Sequence, residues 1–153
     1  MTIAWIYLDK KSAVVSAIKD YADMEFIINN TPDDIADVRA AMTTAKLPTV
    51  SDMPKGSPDP HASEARLAAA IDEIDVIKER YRRALEYMEW FRPAWDALTD
   101  DERFVLTEFY REDSGRRGDA INIICGYYHI EQTSAYKKKN RALAKLTTLL
   151  YGK

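Results

Sequence analysis

Gln132, Thr133, Ser134, Tyr136, Lys137, Lys138, Lys139 and Arg141 fall within one short stretch of a 153-residue chain. Amide and hydroxyl side chains can donate to and accept from the edges of nucleic-acid bases, while lysine and arginine pair with phosphates. Their setting strengthens that chemistry. Residues 132–153 carry six basic groups and no acidic one, whereas residues 1–131 carry 16 basic and 25 acidic groups. A split of +6 and −9 therefore lies behind the net charge of −3. One segment of an acidic protein is suited to a polyanion or an acidic partner. A run such as Lys137-Lys138-Lys139 also occurs as a plain solvated helix face. The short capped helix and the turn that precede it favour the nucleic-acid reading.

Other chemistries find little support. Cys125 has no second cysteine to pair with and lies in an apolar run, which suits a small buried hydrophobe better than a nucleophile. His61 and His129 are far apart in sequence and lack Cys or His neighbours at ligand spacing. Asp72, Glu73, Asp75 and Glu79 flank an apolar stripe and read as a solvated helix face. Gly-rich phosphate loops, nucleophile elbows and Cys–His pairings are absent, so no catalytic residue, metal site or cofactor is expected.

The polar cluster needs a scaffold, and the spacing of apolar residues supplies one. Thr99-Asp100-Asp101-Glu102 is a capping box that opens a helix to about residue 111. Arg116 and Arg117 stand in the basic loop that follows, where they would touch a nucleic-acid backbone or solubilise the loop. Asp119 caps a short apolar helix, Ala120 to Tyr127, and after a turn at Tyr128-His129-Ile130 the last helix runs from Glu131 to about Leu150. That order is the anatomy of a helix-turn-helix. Ala135 and Leu143 with Ile121, Ile124 and Ile130 form its apolar joint. Upstream, Val14, Ile18, Tyr21 and Ile28 mark a first helix expected to stop at Asn29-Asn30. Thr31-Pro32-Asp33-Asp34 is a start signal for a second, running to about Thr44. Four prolines between Lys46 and His61 predict a linker or exposed loop. Ser63-Glu64 then opens a long helix with a stripe of Leu67, Ile71, Ile74, Ile77, Tyr81, Leu85, Met88, Phe91 and Trp95 at 3.5-residue spacing. Lys78 and Arg92 interrupt strict heptads, which favours packing within the chain over a long two-stranded coiled coil. Pro93 is placed to kink or restart that helix. The Trp90, Phe91 and Trp95 cluster suits a core or joint between the N-terminal helices and the C-terminal end.

LTDDERFVL, INIICGYYHIEQTSAY and NRALAKL resemble the opening, helix-turn-helix and close of region 4 of the sigma-70 family. With AIDEIDVIKERYRRALEYMEWFRPAWDAL and the LLYGK end, the chain also resembles small phage and prophage proteins of Gram-positive bacteria, including the ArpU-like and RinA-like late-gene regulators. The resemblance implies base reading by Gln132, Thr133, Tyr136 and Lys137, and phosphate contacts from Lys138, Lys139 and Arg141. It also implies a contact with host RNA polymerase. His129 stands where many helix-turn-helices have glycine, a place where histidine tolerates positive φ at modest strain. No upstream segment resembles the promoter-melting part of a sigma factor, so promoter reading is implied without promoter opening.

The expectation is an all-α protein: a helical hairpin or bundle over 1–97, with the loop at about 46–62 and the long helix at about 63–97, then a helix-turn-helix domain over 98–153. Its expected function is sequence-specific binding of double-stranded DNA in the major groove, as a transcription regulator of phage or prophage origin. The acidic N-terminal helices are expected to serve either a homodimer contact or the contact with RNA polymerase. Without a signal-peptide pattern or a long apolar run, the compartment expected is the cytoplasm, with no membrane partner. A small terminase-like packaging protein and a pure protein-interaction module are the alternatives.

Overall fold

The computed structural model describes residues 9–44, 60–111 and 117–152, apart from the side chains of residues 44, 60 and 117. Those residues form five α-helices and no strand: α1 (Lys10–Thr44), α2 (Pro60–Asp96), α3 (Asp100–Leu106), α4 (Arg117–Tyr128) and α5 (Gln132–Tyr151). Helices α1 and α2 make a long N-terminal hairpin. Among the described residues no helix is long and apolar enough to cross a membrane.

Helix α1 overturns the expected break at Asn29-Asn30, since it runs through Pro32 without interruption. Proline removes one backbone donor and costs about 3 kcal/mol or more inside a helix. The carbonyl left without that donor is that of Ile28, and the side-chain bonds nearby go to its neighbours. Asn30 Nδ2 donates to the carbonyl of Phe26 at 2.8 Å, and the Thr31 hydroxyl donates to that of Ile27. Thr31 is thus buried and bonded within the helix rather than capping a new one. The long helix starts at Pro60, not at Ser63, so residues 60–62 belong to it rather than to the loop. The rest of the proline-rich segment, from residue 46 to 59, lies outside the described residues, as do residues 112–116 with Arg116.

Along α2 the buried line is Ile74, Ile77, Tyr81, Ala84, Met88, Phe91 and Trp95, all buried or half-buried. Leu67, Ile71 and Leu85, expected on that line, are exposed. Ala84 takes the place assigned to Leu85. A helix advances about 100° per residue, so moving one position changes the face. With Ala84 in line, Lys78 and Arg92 fall off the seam and are exposed, which removes the apparent interruptions. Pro93 is exposed too and α2 continues past it to Asp96, so the helix does not restart there.

The chain packs as two compact units, one of residues up to Met24 with those from Tyr87 onward, the other of Glu25–Glu86. In the first, Val14, Ala17 and Ile18 of α1 and Phe91, Ala94 and Trp95 of α2 share one core with Leu98, Leu106 of α3 and Ala142, Leu143 and Leu146 of α5. Tyr87 donates its hydroxyl to the Ala17 carbonyl, tying the two hairpin helices there. Phe91 lies at the centre of an aromatic group, with ring centroids 5.3 Å from Tyr87, 5.6 Å from Trp95 and 5.8 Å from Tyr21. Trp90, by contrast, is exposed at one edge against Tyr151.

Helix α3 passes directly into a π-helical segment, Thr107–Arg111, which sequence patterning does not reveal. Its role is visible in the packing. Val105 and Phe109 pack with Ile124 of α4 and Ala135 of α5, while Leu106 and Tyr110 pack in the larger core. Arg111 ends the segment with its guanidinium 4.0 Å from the Tyr21 ring and 5.6 Å from that of Trp95.

Candidate nucleic-acid interface

The capping box expected at the start of α3 is present. The Thr99 hydroxyl accepts from the Glu102 N–H at 3.3 Å, and the Thr99 N–H donates to the Glu102 carboxylate at 2.9 Å. Glu102 has a second partner that links elements far apart in sequence, Lys145 of α5 at 2.9 Å. Burial raises the Glu102 pKa, but the Thr99 N–H and the Lys145 ammonium outweigh it and hold the carboxyl below its ordinary 4.5. A carboxyl with a depressed folded pKa stabilises the fold above its unfolded pKa, and that contribution is lost as pH falls through the folded value. Melting temperature is expected to drop as pH is lowered from about 6 to about 3, with a smaller Glu102-dependent part in Lys145→Gln. Equal pH profiles for the two proteins would remove Lys145 from this linkage.

Helix α4 starts at Arg117, two residues before the expected cap, so Asp119 lies in its first turn rather than at its cap. Its end matches the anticipated turn closely. His129 adopts φ 53° and Ile130 N–H donates back to the Cys125 carbonyl at 3.2 Å. That bond, from the second residue past the helix to the fourth-last position inside it, satisfies a carbonyl that the helix end would leave unpaired. Ile130 and Cys125 then pack on the Val105, Ile124 and Ala135 cluster. Helix α5 begins one residue after the expected start, with Glu131 outside it and making no side-chain cap. Ala135 is fully buried at the joint, where its small side chain lets α4 and α5 approach closely.

Ala135, Ala142, Leu143 and Leu146 are the buried side of α5. At about 100° per residue, Thr133, Lys137 and Asn140 lie opposite, one above another at helical spacing, and all three are exposed. Ser134 and Arg141 flank this line on one side and Tyr136 on the other, likewise exposed, and Gln132 is exposed in the first turn. Lys138 and Lys139 are half-buried. The Lys138 ammonium lies 4.4 Å from the Tyr128 ring, and that of Lys139 lies 5.2 Å from Phe109 and 5.3 Å from Tyr136. Tyr128 is itself held, donating its hydroxyl to Asp101 of α3 at 2.9 Å. Burial, with the Asp101 carboxylate, pushes that phenol up to about 12, so it remains a donor at neutral pH.

No family model matches the chain, nor does any curated protein or solved structure. The fold and the surface just described therefore stand on their own residues.

Two features of this surface go beyond the expected set. Asn140 joins Thr133 and Lys137 on the outward line; the spacing i, i+4, i+7 in the sequence was signal enough to find it. The rings beneath Lys138 and Lys139, from Phe109 and Tyr128, come from other elements and carry no such signal. The +6 count also overstates the available charge, because Lys145 is paired with Glu102. Among the described residues no group of three or more His, Cys, Asp or Glu side chains is placed to hold a metal ion. Asp72, Glu73 and Asp75 are exposed, whereas Glu79, expected on the same solvated face, is half-buried and pairs with Arg82 and Arg83.

Proposed function

We propose that the protein binds double-stranded DNA sequence-specifically, with α5 in the major groove, and acts as a transcription regulator of phage or prophage type. The observation that carries the reading is the outward line Thr133, Lys137 and Asn140 on a helix that is held by α4, the His129 turn and Ala135. A major groove admits one α-helix, and these side chains supply a hydroxyl, an ammonium and an amide for base edges. Arg141 flanks that line, and the lysines braced on aromatic rings lie nearer the buried side of α5; all three are suited to phosphates, which set register without reading sequence. Supported on rings, Lys138 and Lys139 lose less freedom on meeting a phosphate. The acidic partners of this region, Glu102 and Asp101, hold Lys145 and Tyr128 within the fold.

The resemblance to sigma region 4 adds host RNA polymerase as a second partner, which would supply specificity that one recognition helix lacks. Selection of bound duplexes from a random pool, with and without RNA polymerase, tests the proposal. Enrichment of a fixed motif by the protein alone is expected. A motif that emerges only with polymerase would make the polymerase a required co-anchor. Indifferent binding to any duplex, or none, would sink sequence-specific recognition.

A further inference from the structure

Asn140 is the ninth residue of α5, well inside the helix, where asparagine is a poorer helix former than alanine or lysine. Polar side chains elsewhere inside the helices bond to their own backbone: Asn30 donates to the Phe26 carbonyl and Thr147 to that of Leu143. The Asn140 amide is exposed and makes no such bond among the described residues. Lys137, one turn before it, is exposed as well and enters no ion pair or ring contact among the described residues, whereas Lys138 and Lys139 rest on rings and Lys145 on Glu102. Both side chains keep their donors and acceptors for a partner outside the fold. One turn beyond Asn140 the same line reaches Ala144, exposed and without a polar group, so the run begun by Thr133 and Lys137 closes at Asn140.

We propose that Asn140 selects an adenine and that Lys137 binds a guanine about one or two base-pair steps away, an inference that rests on α5 lying in the major groove. An asparagine amide holds a donor and an acceptor side by side. In that groove adenine is the base that answers with both, its N6 amino group donating and its N7 accepting. Lysine offers donors alone, which guanine meets with two acceptors, O6 and N7. The spacing follows from the helix. Three residues at about 1.5 Å each set the two side chains about 4.5 Å apart along α5, against about 3.4 Å between successive base pairs. Asparagine is short and reaches a base edge only where the helix comes close, and small Ala144 one turn on does not stand in the way of that approach.

Selection of bound duplexes by three full-length proteins, wild type, Asn140→Ala and Lys137→Ala, tests it. Wild type is expected to enrich a motif that holds both bases. Asn140→Ala should lose the adenine preference alone and bind the wild-type motif about 10-fold more weakly or worse, with its salt slope unchanged because an amide neutralises no phosphate. Damage to folding would not explain that loss, since alanine is the better helix former. A duplex with 7-deazaadenine at the selected position lacks the N7 acceptor. It should weaken wild type about 5-fold or more and make no difference to Asn140→Ala, which marks a direct contact. A motif without adenine, an adenine that survives Asn140→Ala, or one further than that from the guanine lost in Lys137→Ala overturns the assignment while leaving duplex binding in place. No motif from the wild type, with or without RNA polymerase, overturns sequence-specific reading itself.

Discussion

Lys137→Glu is expected to weaken binding to a selected duplex by about 100-fold or more while leaving the fold intact. A good side-chain contact to a base edge is worth about 1 to 3 kcal/mol, and reversing the charge adds repulsion from the phosphates on either side. Lys137 is exposed in the middle of the outward line of α5, so its replacement should change stability by no more than about 0.5 kcal/mol. Salt dependence offers a control. Each phosphate contact contributes about −0.9 to the slope of log K against log salt concentration. Loss of Lys138 or Arg141 should therefore flatten the slope by about one unit each. Lys145→Gln should leave it unchanged, because that ammonium is bound to Glu102. Binding of Lys137→Glu at wild-type strength would remove α5 as the reading helix, and a changed slope for Lys145→Gln would redraw the face that meets DNA.

Phe91→Ala should be the most destabilising single truncation. The side chain is fully buried and touches the rings of Tyr21, Tyr87, Trp90 and Trp95. Removing a buried phenyl group costs about 3 to 5 kcal/mol, of which part is the cavity left behind. That is a large fraction of the roughly 5 to 15 kcal/mol that holds a domain folded. Because the same core includes Leu106 of α3 and Leu143 and Leu146 of α5, its loss should unfold α5 along with the hairpin ends. Thermal melting followed by circular dichroism should show a fall of more than about 10 °C, with duplex binding lost in step. Trp90→Ala, at the exposed edge of the group, should cost much less; equal losses for the two would mean that the aromatic group is not organised around Phe91.

The contrast between those two neighbours illustrates what can be read from one dimension. An aromatic cluster at 90, 91 and 95 was legible as a joint, but not which ring enters it. Phe91 and Trp95 share a face with Met88 and Ala84, while Trp90 sits one residue off that face. The exchange of Leu85 for Ala84 has the same origin. Hydrophobic size suggests leucine for the seam, yet Ala84 is the fully buried residue and Leu85 is exposed. At Thr31-Pro32 local signals for a new helix were strong, yet the helix continues, with the Asn30 and Thr31 side chains bonded back to the carbonyls of Phe26 and Ile27.

By itself the sequence determined the all-α class, the Thr99–Glu102 capping box, the turn with positive φ at His129 and the polar, basic character of α5. Each of these depends on groups within about four residues, or on a period repeated along one helix, and such information is local. Tertiary structure alone decided that Lys145 is neutralised by Glu102, 43 residues away, that Lys138 and Lys139 rest on the rings of Tyr128 and Phe109, and that Arg111 lies on Tyr21 and Trp95. It also decided which of the basic side chains face outward. Charge is counted along the chain, but whether a charge is available depends on what folds against it.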